Sequence, residues 1–361
     1  KLTSKVGYYF SNTKTFFFKD SVHAEHPSYE VFTDTLEFRT QTSSAHFHGP
    51  AVIHLDSSNT TIYCEKGVYL TEEDQIRLWD GATIVDSART LYADSLVYDQ
   101  RADVGEGFCN VDMYDSTENI RFKSDYMHKL ANNEEIILKD NAMVIQYSES
   151  DTLYLWADTI RHYQDTLTDQ QLSIAENNVN IINGDLSVHC DSAYFSEADS
   201  IMKLHKHPVM WNDQTQMTAD SILADYYDKT FHKMYMYQNA LIITEHDTLH
   251  YDQIKGKYME AQLDSNKIQK VYIEQNAQTL YYVVKEETDS SGLKSKIYDG
   301  MNRIDCNEII ITFDSSEIDK ISFLDQPTST FYPMDQIIEK DKFLKGFLWE
   351  IGLKPDPIYI E

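Results

Sequence analysis

His46 and His48 stand two residues apart in "HFHGPAVIH", and His205 and His207 repeat the spacing in "HKHP". On a strand, residues two apart share a face, so each pair presents two imidazoles together, half of a zinc site. No cysteine or acid completes either pair at a metal-ligand spacing, and the four are read as surface histidines. The acid pairs Glu72/Glu73 and Glu134/Glu135 have the make-up of a general acid–base couple, but they fall in turn-like stretches where solvated charge is the plainer reading. GxSxG, Walker, HExxH and GxGxxG motifs are all missing. The expectation is a protein that is not an enzyme, with no cofactor and no metal. A repeat-fold polysaccharide lyase or hydrolase is the rival, and it needs a charged cluster on one outer face that the sequence does not display.

One set of acids does recur on a beat. Anchor positions fall at Lys5, Asp34, Glu65, Asp94, Asp125, Asp158, Asp191, Asp220, Asp252 and Asn307, about 31 residues apart except for a last gap of 55. Three residues before each anchor is an apolar residue, among them Val31, Ile62, Leu91, Phe122 and Leu155. One before is a small residue, Tyr251 excepted. Two after is an apolar residue or glycine, including Leu36, Leu96 and Met127. A second beat lies between anchors, as in "GPAVI" (49–53), "DGATI" (80–84), "CNVDM" (109–113), "DNAMV" (140–144) and "QNALI" (238–242). Pro50, Gly81, Asn110 and Asn141 each follow their anchor by 16 residues.

Apolar positions at −3, −1, +2 and +4 are a period-2 strand with one residue inserted, the trace of a bulge or corner. The strand passes from one sheet to a facing one at the anchor while its apolar side stays inward. Asp and Asn suit such a corner because their short side chains bond nearby backbone amides. A ladder of calcium ligands would want converging acids in glycine-rich loops, and Gly numbers only 12. Cys64, Cys190 and Cys306 occupy the small slot and Cys109 precedes a second-beat Asn, so all four read as buried small residues with free thiols, one disulfide being the alternative.

Ten two-strand repeats thus cover residues 1–330 as an all-β domain, and residues 331–361 leave the pattern. The polar stretch 285–300 is an insertion, read as a hairpin extension or a loop. In the tail, Ile337, Ile338, Phe343, Phe347 and Trp349 either cap the last coil or form an exposed docking segment. A net charge of −28 argues against nucleic acid and anionic membrane surfaces. Residue 1 falls inside a repeat with no cap before it, so the chain is expected to be truncated there, its signal peptide lost.

The corner motif in "LYADSLVYD", "LWADTIRHY" and "MTADSILADYY", with "DNAMVIQ" and "QNALIIT" as second beat, resembles the OstA-like family, which includes LptA and the periplasmic domain of LptD. The resemblance spans roughly residues 1–330. It implies an elongated, open β-jellyroll whose interior takes lipopolysaccharide acyl chains in the periplasm, joined head-to-tail through strand edges to other such modules in a bridge toward the outer membrane. The chain has more repeats than the short bridge proteins, is more acidic than a binder of phosphorylated lipid needs to be, and lacks the outer-membrane member's barrel. On this reading the lipid-binding residues are Leu36, Ile53, Ile62, Ile84, Leu91, Leu96, Met113, Phe122, Met127 and Val144. A charged residue at Leu96 or Met127 is expected to abolish lipid uptake before folding. The runner-up is a structural or adhesive β-solenoid that binds a protein or glycan on its outer face.

Overall fold

A computed structural model describes residues 1–27, 29–55, 59–102, 104–130, 135–148, 152–165, 167–168, 170–227, 230–264, 267–288, 294–314 and 317–356. Glu134 and the tip of the insertion, 289–293, lie outside the described residues. The protein is all-β: strands paired antiparallel, with three short 3-10 turns near the C-terminus. Two compact units divide it, Lys1–Ala175 and Glu176–Glu361.

In the N-terminal unit Gln75–Val85, Arg89–Asp99, Val104–Asp115, Ile120–Leu130 and Glu135–Gln146 each pair antiparallel with the next and form one meander. Every one of these strands bends in its middle. On Arg89–Asp99, Ala93 pairs with Ala82 and Ser95 with Trp79, so the single residue Asp94 opposes the two residues Asp80 and Gly81. The same two-for-one register recurs at Asp34, Asp125 and Asp158. The extra residues are therefore on the second-beat strand, and both adopt left-handed backbone: Asp80 and Gly81 (φ 62° and 93°), Cys109 and Asn110 (57° and 51°), Asp140 and Asn141 (56° and 56°). Gly and Asn are the residues that tolerate this conformation most readily, which explains the second beat. Proline cannot adopt it, and at Pro50 the strand breaks into Ser44–Phe47 and Ala51–Leu55.

Asp94 and Asp125 do not bond the amides of their own corner as the sequence suggested. Asp94 accepts instead from Asn110 Nδ2 at 2.8 Å, and Asp125 from Asn141 Nδ2 at 2.6 Å, clamping the bend to the strand beside it. The small slot carries a second device. Ser4 Oγ, Cys190 Sγ and Cys306 Sγ each donate across the anchor to the carbonyl two residues on, a partner for an oxygen exposed by the bend.

The bend folds the two halves of each strand over each other. Phe122 precedes its anchor and His162 follows another, yet their rings lie 5.1 Å apart. Tyr29 and Tyr69 meet in the same way at 6.1 Å. Apolar side chains from both halves fill the space between.

The C-terminal unit repeats the register, with one correction. The anchor expected at Asp252 is at Lys257: Tyr258 pairs with Tyr237 and Gly256 with Ala240, leaving Lys257 opposite Gln238 and Asn239. Gly256 thus fills the small slot, and a Cβ there would collide with the Ile273 side chain. Leu249, matched as an inward residue, is 64% exposed. The insertion extends a hairpin, with Lys285 paired to Ile297 and Val284 to Tyr298. The tail runs back across the strands of this unit, and Leu344 is buried against Leu280, Tyr282 and Met301.

Candidate functional site

The lipid-contact residues predicted from sequence fall into two cross-strand rows of the N-terminal unit. Ile53 pairs with Ile62, Ile62 with Ile84, Ile84 with Leu91, Leu91 with Met113, Met113 with Phe122, and Phe122 with Val144. This first row runs without a polar member. Leu36, Leu96 and Met127 belong to a second row beyond the bend, in which Leu36 pairs with Phe47, Leu78 with Leu96, Leu96 with Gly107, Gly107 with Met127, and Met127 with Leu138. The rows share one interior but are not cross-strand neighbours of each other.

All ten residues point inward, and eight are buried; Ile84 and Leu91 are half-buried. Full burial of such a side chain contributes about 1.5–3 kcal/mol, so the rows hold the unit together. A cavity beside Met113 and Phe122 measures about 20 Å³, room for a water molecule and not for an acyl chain. Packing loosens toward the N-terminal end. There the second row continues from Leu36 to Phe18 and Gly7, and Tyr9 and Phe16, two residues along those strands from it, are 54% and 37% exposed, with ring centroids 4.6 Å apart.

Sequence reasoning missed a polar cluster at the mouth between the layers. Arg89 Nε donates to Asp115 at 2.7 Å, and the amides of Thr117 and Glu118 donate to the same carboxylate. Burial pushes the Asp115 carboxyl up, but Arg89 and those two amides outweigh it and hold the group below its ordinary value. His162 stands opposite, its Nδ1 2.9 Å from Ser173 Oγ. Burial, and then the Arg89 charge, push this imidazole down to about 4, with Asp115 opposing. Lys129 and Gln164 line the same cavity. The signal was countable: Arg89 and Asp115 are two residues from Leu91 and Met113 and share their inward parity.

The other candidates dissolve into ordinary roles. His46 bonds Ser44 Oγ at 3.0 Å and His48 bonds Glu37 at 2.7 Å, while His205 and His207 are exposed. Among the described residues no group of three His, Cys, Asp or Glu is placed to hold a metal ion. Glu72 accepts from Ser43 Oγ at 2.6 Å. Glu135, expected in a solvated turn, opens the strand Glu135–Gln146, where it is buried.

All four thiols are free, but Cys109 is exposed, because it is the first residue of a left-handed pair on the outside of its bend. Burial pushes the Cys64 thiol up to about 11 and the Cys190 thiol up to about 12. A thiol reagent at neutral pH is expected to modify Cys109 within minutes and to reach Cys64 and Cys190 only as the protein unfolds. Peptide mapping after a timed quench reads this out, and early labelling of Cys190 would contradict the burial. No protein-family model matches the chain, and no curated protein matches it.

Proposed function

We propose that the N-terminal unit is a lipid-shielding module of OstA-like, β-jellyroll type, and that the chain is a non-enzymatic periplasmic carrier of lipopolysaccharide, passing acyl chains toward the outer membrane. The observation that carries this reading is the pair of unbroken apolar rows, joined to an interior end where Tyr9 and Phe16 are open to solvent. An acyl chain entering there separates the layers and exchanges side-chain contacts for its own. Each buried methylene contributes about 0.8 kcal/mol, so a chain of about twelve carbons gains on the order of 10 kcal/mol before ordering costs. That margin offsets both the repulsion of a phosphorylated lipid by an acidic protein and the displacement of packed side chains. Strand edges joined head-to-tail to other modules of this kind complete the carrier.

A second reading is favoured by one observation on the outer face. Phe32, Tyr63 and Tyr92, each two residues before an anchor, are 41%, 47% and 39% exposed and stand on every second strand of one face. Such a stripe suits a scaffold that holds a protein or glycan.

Native mass spectrometry with sub-micellar lipopolysaccharide separates the two. A one-to-one adduct that free fatty acid displaces, and that Phe16→Asp weakens while Tyr63→Ala leaves intact, is the expected result. An adduct insensitive to fatty acid, or none, moves the assignment to the outer face.

A further inference from the structure

Asn110 and Asn141 each clamp the anchor acid 16 residues before them. At the Asp34 corner the equivalent position is Pro50, which has no side-chain donor. Asp34 is exposed, and its side-chain donor among the described residues is its neighbour Thr35, whose Oγ1 lies 3.2 Å from Oδ2. An open cavity of about 490 Å³ occupies this corner, and its lining includes Val22, His23, Phe32, Thr33, Asp34 and Pro50. That volume is within the range of small-ligand sites.

Two polar atoms of the lining residues are buried with nothing to bond. Thr33 is 7% exposed, and its Oγ1 has no partner. His23 Nε2 is likewise buried and unpartnered. The other ring nitrogen, Nδ1, lies 3.7 Å from Glu25 Oε1. The proton of a neutral ring therefore belongs on Nδ1, and Nε2 presents a lone pair. Buried polar atoms are costly to leave unpaired, and two at one cavity mark a place where a ligand supplies the bonds.

Asp34, His23 Nε2 and Thr33 Oγ1 make a set of acceptors, and a primary ammonium carries three donors and no acceptor. Val22, Phe32 and Pro50 offer carbon surface to the stem behind it. A net charge of −28 favours a cation here and disfavours an anion. We propose that this corner binds a primary ammonium on an aliphatic stem, borne by a lysine side chain or a free alkyldiamine. None of its residues belongs to either apolar row, so the site is independent of lipid carriage.

The test titrates full-length chain, isotope-labelled at histidine nitrogen, with cadaverine, with Nα-acetyl-lysine amide and with pentyltrimethylammonium at neutral pH and physiological salt. An amine that binds is expected to move the His23 Nε2 resonance as it donates there. The trimethylammonium, charged but without a donor, is expected to leave it in place. Asp34→Asn is expected to weaken binding about tenfold through loss of a charge-assisted bond. Pro50→Asn, which restores the clamp donor of the other corners, is expected to weaken it similarly with no loss of stability, a result that a damaged fold would not give. Binding of the lysine derivative identifies lysine side chains as the source, and binding of cadaverine alone identifies free amines; either supports the proposal. No shift with either amine, an equal response to the trimethylammonium, or an affinity unchanged in either variant overturns it.

Discussion

Leu96→Asp is expected to unfold the N-terminal unit rather than merely to empty it of ligand. Leu96 is 4% exposed, paired with Leu78 on one side and Gly107 on the other, at the centre of the second apolar row. Removing the leucine forfeits its packing, worth about 2–5 kcal/mol in comparable core truncations. The aspartate then stands without a cation or an amide donor, so it either takes up a proton or leaves a buried charge, at a further cost of several kcal/mol. The sum rivals the entire stability of a typical domain, about 5–15 kcal/mol. Sequence alone suggested that binding fails before folding; with Leu96 and Met127 both buried, the two are expected to fail together. Phe16→Asp, at the exposed end of the interior, is where the two effects separate. Circular dichroism during denaturant titration measures this. A Leu96→Asp protein within 1 kcal/mol of wild type would mean that the row is not tightly packed.

Inward parity was legible because a strand's period of two survives any local disorder in the repeat. Leu91, Ala93 and Leu96 could be placed on one side of the interior from spacing alone. Where strands lengthen, the same rule misled: "TLHYD" imitates the corner, yet the bend lies five residues later at Lys257, marked by the pairing of Gly256 with Ala240. Only the partner strand supplies that information. The acid at the anchor was legible as structural, but its partner was not, since the Asp94–Asn110 bond joins residues 16 apart on strands whose register sequence does not fix. The seat of the tail on the C-terminal unit was hidden for a different reason. Gln216 and Gln253 look like solvated outer residues, and only the neighbouring Trp211, Ile243 and Leu280 betray a covered face, each of them on a different strand.

Acidification from pH 6.5 to 4 is expected to cost the N-terminal unit about 3 kcal/mol through His162 alone. Its imidazole is 5% exposed, packed beside Phe122 and facing the Arg89–Asp115 pair. Burial and the Arg89 charge hold its folded value near 4, below the ordinary 6.5 of an unfolded histidine. The unfolded chain therefore takes the proton first. Stability is complete above pH 6.5, falls as pH drops through the window, and loses nothing more from this group below pH 4. His46 is shifted the same way, by burial first and then Arg39, and adds to the slope. The carboxylates act elsewhere: Asp115 is held below its ordinary value, and Glu37 down to about 2, chiefly by its bond from Arg39. Their contribution is present above the unfolded carboxylate range and is lost as pH falls from that range toward their folded values. The upper part of that interval, from 6.5 to about 5, thus isolates the histidines. Replacing His162 by glutamine keeps a partner for Ser173 and removes its titration, so the protection of the Leu138 and Ile160 amides against hydrogen exchange, corrected for intrinsic rates, should fall much less steeply with acidification than in wild type, His46 supplying the remaining slope. Equal slopes in wild type and variant would show that His162 gains its proton without unfolding, through a mouth already open to water.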